Sequence, residues 1–391
     1  MRGRPVRGSH SAGLSRRKDM TNQDTIAANQ VVVVGAGYAG LRAALQLAPF
    51  VQVTLVAPDD HFTERVRLHE KAAGRPDVTH SLRTILRDTG VTHVAALVTR
   101  IDTAAAEAHT DAGHVLRYDR LVYALGSRTG GIGLTGTAEQ RAFSAESAAE
   151  LYKRLRDGSG SLTVVGGGPT GVELATELAE SHPGWTVGLV TGGEIVPSVG
   201  AKGRAHVRSA LLDRRVRVEE GRHVGGPDEI DADVVVWAGS MVPNTELAVA
   251  AGIATDSRNQ ISVDPALRSL SHPHIYATGD TAAVETPAAG RIRMACATAL
   301  PLGAHAALSV VRDLRGQEPK PFTFGYAAQC ISLGRHDALF QLVAKDDSPR
   351  TRVLTGRPGA LVKEQIVRTT VRTIRLDARH PRVARHIPGS N

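Results

Sequence analysis

Short apolar runs that lead into glycine turns and then into helical patterns occur at two places in the chain. Residues 31–34 and 162–165 are apolar, largely β-branched runs with the length of one buried strand. Each run continues into glycines with the spacing G-x-G-x-x-G and then into apolar residues at helical spacing, such as Leu41 and Leu45 in the first case. The pattern predicts a strand–turn–helix unit at both places.

The other apolar segments predict how these two units continue. For the first unit we expect a strand at 51–56, a small β-meander within 91–125, an apolar strand at 120–125 and a helix at 144–156. For the second we expect a helix at 170–181, strands at 185–190, 217–219 and 233–237, and a helix near 203–214. Later come a strand at 275–280, an alanine-rich helix at 294–314 and β-like pieces within 322–343. The predicted fold class is α/β, with two nested Rossmann-like dinucleotide-binding domains and a small C-terminal α+β part.

Both glycine turns carry the residues that a dinucleotide pyrophosphate requires. The first glycine permits the tight turn, the second lets backbone approach the phosphates, and the third allows close helix–strand packing. The candidate binding residues are Gly35, Gly37, Tyr38, Ala39 and Gly40 in the first turn, and Gly166, Gly168, Pro169, Thr170 and Gly171 in the second. Two such sites predict two dinucleotides held face to face, which fits a flavin that is reduced by a nicotinamide.

Charge and composition narrow the class of protein. The net charge is +8 over 391 residues, but residues 1–20 and 361–391 hold 13 of the Lys and Arg against three acidic residues. The basic charge therefore lies at the two ends, and we expect no nucleic-acid partner. Residues 1–28 are predicted to be a disordered basic extension, and no apolar run approaches the ~20 residues that span a bilayer. Cys296 and Cys330 are the only cysteines, so we expect no metal cluster, no disulfide framework and a cytoplasmic location.

Five stretches in a fixed order give the chain a family resemblance. They are the two glycine turns, the second continuing into Glu173, and residues 118–127, 237–239 and 276–280, while 330–335 add a C-terminal match. Over residues 30–375 the chain resembles the FAD-dependent pyridine-nucleotide oxidoreductases, most closely the type II NADH dehydrogenase and apoptosis-inducing-factor-like branch. The resemblance implies a glutathione-reductase-like fold. Its implied domains are a discontinuous FAD-binding domain at 29–140 and 257–318, an NAD(P)H-binding domain at 141–256, and a C-terminal domain with a basic tail at 319–391.

The resemblance also implies roles around the FAD. Asp280 would accept a hydrogen bond from a ribityl hydroxyl, with Gly279 allowing close approach; the alternative is that Asp280 only caps the following helix. Val98, taken as the end of a strand, matches the position whose backbone meets the adenine. Gly126, within the matching stretch 118–127, is counted among the FAD-binding residues.

Further roles concern the reacting rings. Glu173 would position the nicotinamide and relay a proton; the alternative is a carboxylate that is merely stabilised by a helix N-terminus. Backbone N–H groups around Cys296 and Ala297 would stabilise negative charge on the reduced flavin. The Cys296 thiol either reaches the flavin or fills apolar space. Disulfide reduction is excluded, because neither of the paired-cysteine motifs of disulfide reductases is present.

The chain departs from the family pattern at both ribose-binding positions. The acidic residue expected for the FAD ribose falls at Ala57, where Asp59 or Asp60 would have to substitute. In the second unit the strand ends in Thr191, followed by Gly192 and Gly193, with no carboxylate for NADH and no immediate arginine for NADPH. Glu194 would favour NADH, whereas Lys202 or Arg204 would favour NADPH.

The expected activity is hydride transfer from NADH or NADPH to FAD, with a quinone or quinone-like small molecule as the acceptor. Type II dehydrogenases usually carry glutamines at positions that match Ala297 and Leu302, and Pro301 is expected to kink the helix or confine it to one turn. The alternatives are a flavin reductase for a dedicated redox partner and a slow redox sensor.

The basic tail at 361–391 offers a peripheral contact with the inner face of a membrane; the alternative is a solvated surface whose apolar residues pack into the core. Thr369, Thr370 and Thr373 weaken a continuous helix there. The oligomeric state stays open, with a homodimer as one option.

Overall fold

The computed structural model describes residues 26–75, 78–130 and 141–380. Most of the predicted basic extension and the end of the tail lie outside these residues. The strands are, in chain order, β1 (Gln30–Val34), β2 (Gln52–Val56), β3 (His61–Thr63), β4 (Thr79–Ser81), β5 (Val91–Val94), β6 (Val98–Asp102), β7 (Glu107–Thr110), β8 (Val115–Arg117), β9 (Arg120–Tyr123), β10 (Ser127–Thr129), β11 (Ala142–Ser144), β12 (Gly160–Val165), β13 (Trp185–Thr191), β14 (Arg217–Glu220), β15 (Val234–Trp237), β16 (Met241–Pro243), β17 (Ile261–Ser262), β18 (Ile275–Ala277), β19 (Ala282–Ala283), β20 (Glu285–Thr286), β21 (Gly290–Arg291), β22 (Ala328–Ser332), β23 (Ala338–Val343) and β24 (Pro349–Leu354). The helices are α1 (Tyr38–Leu47), α2 (Leu68–Ala72), α3 (Leu82–Ile85), α4 (Ala148–Leu155), α5 (Pro169–Ser181), α6 (Ala201–Asp213), α7 (Glu246–Ala250), α8 (Cys296–Leu314) and α9 (Gly356–Arg379), with 3₁₀ turns at Arg65–Arg67, Pro227–Glu229 and Gly279–Thr281.

Two parallel sheets form the centre of the fold, as the predicted α/β class requires. The first has the strand order β18-β9-β1-β2-β5 and the second the order β11-β15-β12-β13-β14. Residues 31–34 and 234–236 are buried and apolar throughout, which is typical of parallel strands that are covered by helices on both faces. In both sheets the strand that precedes the glycine turn lies in the middle, so both turns open at the carboxyl end of a sheet.

The chain returns to the first sheet after building the second. Strand β18 pairs with β9, and β10 pairs with β16 where the chain crosses between the two units. Ala248 and Ile253 belong to the core around the first sheet, although the sequence assigned them to the second domain. The antiparallel β10–β16 pair precedes both residues, so the crossing comes before the predicted boundary at 256.

The C-terminal part is a small antiparallel sheet, β22-β23-β24, followed by α9. Ile331, Leu333 and Leu339 pack into the second core, whereas Val371 and Ile374 of α9 pack into the first. This part therefore joins the two units from one side. In the described residues, no helix combines the length and apolar character needed to cross a membrane.

Three local expectations require correction. Val98 begins β6 instead of ending a strand, because the strand before it ends at Val94 and the chain then turns into the small sheet β6-β7-β8. Pro301 does not confine its helix to one turn, because α8 continues through it to Leu314; the packing of α8 along α1 outweighs the hydrogen bond that proline lacks. Helix α9 is likewise continuous despite its threonines, because its buried face is held by tertiary contacts.

Candidate functional site

The first glycine turn, between β1 and α1, has the shape of a pyrophosphate-binding loop. Gly35 has a φ of +106°, and a Cβ there would lie 2.5 Å from the carbonyl oxygen of Ala124. A Cβ on Gly40 would lie 1.9 Å from the carbonyl oxygen of Gly35, so α1 packs directly on the turn. A Cβ on Gly37, in contrast, would meet no protein atom within 4 Å. The middle glycine therefore faces a space that the protein does not fill.

The second glycine turn, between β12 and α5, repeats this geometry. Gly166 has a φ of +124°, and a Cβ on Gly171 would lie 1.8 Å from the carbonyl oxygen of Gly166. A Cβ on Gly168 would again meet nothing within 4 Å. Pro169 occupies the first turn of α5, where a backbone N–H has no partner within the helix, so proline costs no hydrogen bond there. Neither α1 nor α5 has a side-chain cap, which leaves the first N–H groups, including that of Thr170, for an anionic ligand.

Ala39 and Tyr38 connect the first turn to the rest of the site. A Cβ on Gly303 would lie 2.2 Å from the carbonyl oxygen of Ala39, so α8 lies directly against the start of α1. A Cβ on Gly279 would lie 3.0 Å from that of Ala39. The Tyr38 ring is buried edge-on against Phe62, with 5.0 Å between the ring centroids, and burial raises the pKa of its hydroxyl. The turn, α8 and the 279–281 segment therefore form one wall.

Only one of the two carboxylate oxygens of Asp280 has a hydrogen-bond partner among the described residues. Its Oδ2 accepts a hydrogen bond from Ser127 Oγ at 2.7 Å, whereas its Oδ1 is buried and has no partner among the described residues. Burial raises the pKa of Asp280, and the Ser127 hydrogen bond, the Arg65 charge and the backbone of Ala295 offset this only partly. An unpaired buried acceptor is costly, so a hydroxyl donor fits here. A Cβ on Gly126, next to Ser127, would meet nothing within 4 Å, so there is open space at this glycine.

Helix α8 begins next to Asp280 and directs its positive end toward the same wall. No side chain caps the helix, and the Thr298 hydroxyl bonds instead to the carbonyl of Ala295. The backbone N–H groups of Cys296 and Ala297 lie in this first turn, where the helix dipole favours negative charge. Burial raises the pKa of the Cys296 thiol to about 11, so at neutral pH the thiol is protonated and not a nucleophile. This favours the interpretation of Cys296 as apolar filling.

Glu173, on the first turns of α5, forms a buried ion pair with Lys363 of α9. Glu173 Oε1 also accepts the backbone N–H of Ser332 at 2.9 Å, and His69 Nδ1 lies 4.0 Å from Glu173 Oε2. The Glu173 and Lys363 side chains are each only 13% exposed. Three parts of the chain thus converge on one carboxylate.

Burial and the contacts among Glu173, Lys363 and His69 shift the pKa values of all three groups. Burial alone raises the pKa of Glu173, but the Lys363 charge and the hydrogen bonds from Lys363 and Ser332 outweigh it and hold the pKa below its usual range. Burial lowers the pKa of Lys363, yet the Glu173 carboxylate raises it overall. Burial lowers the pKa of His69, so His69 is neutral at pH 7. The site therefore holds a carboxylate and an ammonium side by side away from bulk water.

A cavity of about 420 Å³ opens at the second glycine turn. Its lining comprises Val165, Gly166, Gly167, Gly168, Val190, Thr191, Gly192, Gly193, Arg222, His223, Val224, Trp237, Ala238, Gly239 and Ser240. This is the position at which the sequence predicted the nicotinamide coenzyme. Glu194 is not in the lining and forms an ion pair with Arg204, so the structure uses both of these residues elsewhere, while Lys202 lies exposed outside the lining.

The two ribose-binding positions remain without a carboxylate. Ala57 is buried, and its carbonyl oxygen contacts His93 Nε2 at 3.1 Å. Asp60 is paired with His61 at the surface, and Asp59 is exposed. Within the described residues, no group of His, Cys, Asp and Glu side chains is arranged to hold a metal ion.

Sequence reasoning missed the partners that come from distant elements. Lys363 was counted as part of a basic tail, and His69 lies in a segment that carried no motif. Ser127 was quoted only as the end of a matching stretch, and Arg222 and His223 follow a strand with no signature of their own. No local signal identifies any of these residues, because each acquires its role from a contact with a residue far away in the chain.

Known proteins give the context for this geometry. A family profile described as pyridine nucleotide-disulphide oxidoreductase matches residues 29–301. An NADH dehydrogenase-like protein of Mycobacterium tuberculosis is 30% identical, over 86% of this chain and 92% of its own length. A type II NADH:quinone oxidoreductase of Staphylococcus saprophyticus is 26% identical, over 86% and 94% of the two chains.

A solved structure shows the same fold. NDH2 from Plasmodium falciparum, determined in complex with NADH, superimposes with a TM-score of 0.74 at 15% identity, covering 93% of this chain and 99% of that one. The glycine cradles and the unpaired Asp280 oxygen fit FAD, and the second cavity fits a pyridine nucleotide. The chain belongs to the pyridine nucleotide-disulphide oxidoreductase family and is an oxidoreductase that works with FAD and NADH or NADPH.

Proposed function

We propose that this protein passes electrons from NAD(P)H, by way of FAD, to a quinone or a quinone-like small molecule. The buried Glu173–Lys363 pair is the observation that carries the proposal. A quinone takes up two protons with its two electrons, so its reduction needs a proton donor in a site that excludes water. The type II NADH:quinone oxidoreductases among the relatives support the same acceptor.

The residues around the two turns would hold the cofactors. Gly35, Gly37, Gly40 and Asp280 would hold FAD, which when bound supplies the two-electron chemistry. Gly166, Gly168 and Gly171 would hold the coenzyme in the second cavity. The first N–H groups of α8 would stabilise negative charge that develops beside them, and this role requires backbone rather than the Cys296 thiol.

The protein's own contribution to the second half of the reaction is proton transfer. Lys363 Nζ donates a hydrogen bond to Glu173 Oε1. As an ammonium group it holds two further protons that can be transferred. The Ser332 N–H holds the same oxygen, which fixes the orientation of the carboxylate. Neutral His69 lies beside the other oxygen, with its Nδ1 4.0 Å from Glu173 Oε2. Glu173 is thus the candidate catalytic residue, with Lys363 as its partner.

The Lys363→Met variant tests this proposal, because methionine keeps the length of the side chain and removes its protons. Stopped-flow mixing with NADH or NADPH without air should give flavin reduction within a few-fold of wild type. Reduction of a menaquinone analogue should slow by about 10²–10⁴-fold, as expected for loss of a general acid. Ferricyanide accepts electrons without protons, so its reduction should stay close to the wild-type rate.

Two further variants control for folding. Arg372→Met changes an exposed cation on the same helix and should leave all three rates unchanged. The double variant Glu173→Gln with Lys363→Met removes both charges, so no uncompensated charge stays buried. Equal loss of quinone and ferricyanide reduction would contradict the proposal. Negligible turnover by wild type with every acceptor would favour the redox sensor, and activity only with a protein acceptor would favour the dedicated flavin reductase.

We further propose that α9 rests on the inner face of a membrane. Its exposed face carries Arg368, Arg372, Arg375 and Arg379 together with the exposed Leu361 and Leu376. A basic face with apolar anchors favours anionic lipid. The homodimer stays a prediction that sedimentation velocity would test.

A further inference from the structure

We propose that the second cavity selects NADPH over NADH, and that Arg222 and His223 contact the 2′-phosphate. The inference rests on the proposed placement of the pyridine nucleotide in this cavity and is independent of the acceptor. It concerns residues that follow β14, one strand away from the position that usually reads the adenosine ribose.

The first step is the charge of the lining. Among the residues that line the cavity, only Arg222 and His223 have side chains that can carry a charge, and in both cases that charge is positive. A pocket for NADH commonly presents a carboxylate to the two ribose hydroxyls, whereas a 2′-phosphate is accommodated by a nearby arginine. The lining therefore has the chemistry of a phosphate site.

The second step is the end of β13. The residue in the usual ribose-reading position is Thr191, which packs on the glycine turn: a Cβ on Gly167 would lie 2.7 Å from Thr191 Oγ1. At Gly192, a Cβ would lie 2.5 Å from both Cε1 and Nδ1 of His223. The His223 imidazole thus occupies the space that a side chain at position 192 would fill. The β13 end supplies no carboxylate, and the neighbouring segment supplies a ring that can donate a hydrogen bond.

The third step is the state of the nearby carboxylates. Glu194 is paired with Arg204, and Glu220 accepts from Arg208 and from the backbone N–H of Ile195. Both carboxylates therefore already have partners.

Arg222 is held in place but keeps capacity for a ligand. Its backbone N–H donates to the carbonyl of Thr191 at 3.0 Å, which fixes it beside the end of β13. One guanidinium nitrogen donates to the carbonyl of Glu229, and the other pairs with Glu219. The Arg222 and Glu219 side chains are 41% and 53% exposed, and such surface pairs are weak. A phosphate, which accepts two parallel hydrogen bonds from one guanidinium, can displace that carboxylate.

Calorimetry with two redox-inert fragments tests the inference on the FAD-loaded protein. The probes are ADP-ribose and 2′-phospho-ADP-ribose, which differ only in the phosphate. Wild type should bind the phosphorylated fragment at least about tenfold more tightly, the effect of one or two charge-assisted hydrogen bonds. Arg222→Gln should remove most of this difference while leaving ADP-ribose within about twofold, and His223→Gln should remove part of it.

Arg217→Gln is the matched control, because Arg217 is exposed at the opposite end of β14 and should not affect either affinity. Equal wild-type affinity for the two fragments, or tighter binding of ADP-ribose, overturns the inference. So does equal loss of both affinities in Arg222→Gln and His223→Gln, or binding of neither fragment by wild type. A wild-type protein that shows this preference but fails to reduce quinones would contradict only the proposed acceptor.

Discussion

At the scale of single residues, each glycine turn contains a glycine that the fold requires and another that only a ligand would require. A Cβ on Gly40 or on Gly171 would lie 1.9 Å or 1.8 Å from a backbone oxygen, so the fold itself excludes any larger residue there. Gly37 and Gly168 face open space and adopt φ values of −74° and −73°, which any residue can take. The described fold does not itself require the middle glycine of either motif, which supports the proposal that a pyrophosphate approaches there.

This contrast gives a prediction for the first turn. Gly37→Ala should leave the free energy of unfolding of the FAD-free protein within about 1 kcal/mol of wild type while reducing the FAD bound per chain. Gly40→Ala should lower the free energy of unfolding by about 1–3 kcal/mol or more, since α1 must move off the turn. Urea unfolding and the flavin-to-protein absorbance ratio measure the two effects. Full FAD retention in Gly37→Ala would show that no phosphate approaches this glycine.

At the scale of elements, one carboxylate connects the two units. Glu146 follows β11 of the second sheet, and it accepts hydrogen bonds from the backbone and hydroxyl of Thr129 in β10. Its Oε1 also pairs with Arg65 at 2.8 Å, next to the wall that contains Asp280. Burial raises the pKa of Glu146, but the Thr129 and Arg65 contacts outweigh it and lower the pKa to about 2.

The sign of this shift predicts a pH dependence. Because the folded pKa lies below the unfolded one, Glu146 contributes stability that is complete above pH 4.5 and is lost as the pH falls to about 2. Glu146→Gln should therefore be less stable than wild type at pH 7, and the difference should shrink across this window. Urea unfolding at a series of pH values measures it. The exposed Glu150→Gln in α4 is the control, and a difference that does not change with pH would refute the assignment.

At the scale of the whole molecule, α9 is the element that completes the site. Near the start of the helix, Lys363 pairs with Glu173 in the second unit. Near its end, the fully buried Asp377 pairs with Arg42 of α1. The opposite face presents basic and apolar residues to the outside. One helix thus joins the Glu173–Lys363 pair to the surface that we propose lies on lipid.

Vesicle sedimentation tests that surface. The double variant Leu361→Ser with Leu376→Ser should bind vesicles that contain anionic lipid about tenfold more weakly, because two apolar anchors are lost. Leu212→Ser, at a leucine that is 75% exposed on α6, should bind like wild type. Raising the salt concentration should weaken the wild-type interaction, since the arginines are screened. Equal sedimentation of all three proteins would show that α9 does not contact the membrane.

The sequence by itself determined the parts of this protein that depend on neighbouring residues. Strand, glycine turn and helix follow one another within about a dozen positions, so local sterics and hydrophobic spacing were enough to predict both units and their ligands. Glu173 was identified because the family that the chain resembles places a glutamate at this point of the second glycine-turn helix. Local rules failed at Pro301 and at the threonines of α9, where packing outweighed intrinsic preference.

Only the tertiary structure decided which residues complete each site. Glu173 and Lys363 are 190 residues apart, and Ser127 and Asp280 are 153 apart. His223 meets Gly192 only because β13 and β14 are adjacent in the sheet. A pairing across such distances leaves no period or motif in the sequence, because it is set by how elements pack and not by what precedes or follows each residue. The glycine turns could therefore be predicted from the chain, whereas the Glu173–Lys363 pair and the proposed phosphate contacts required the fold.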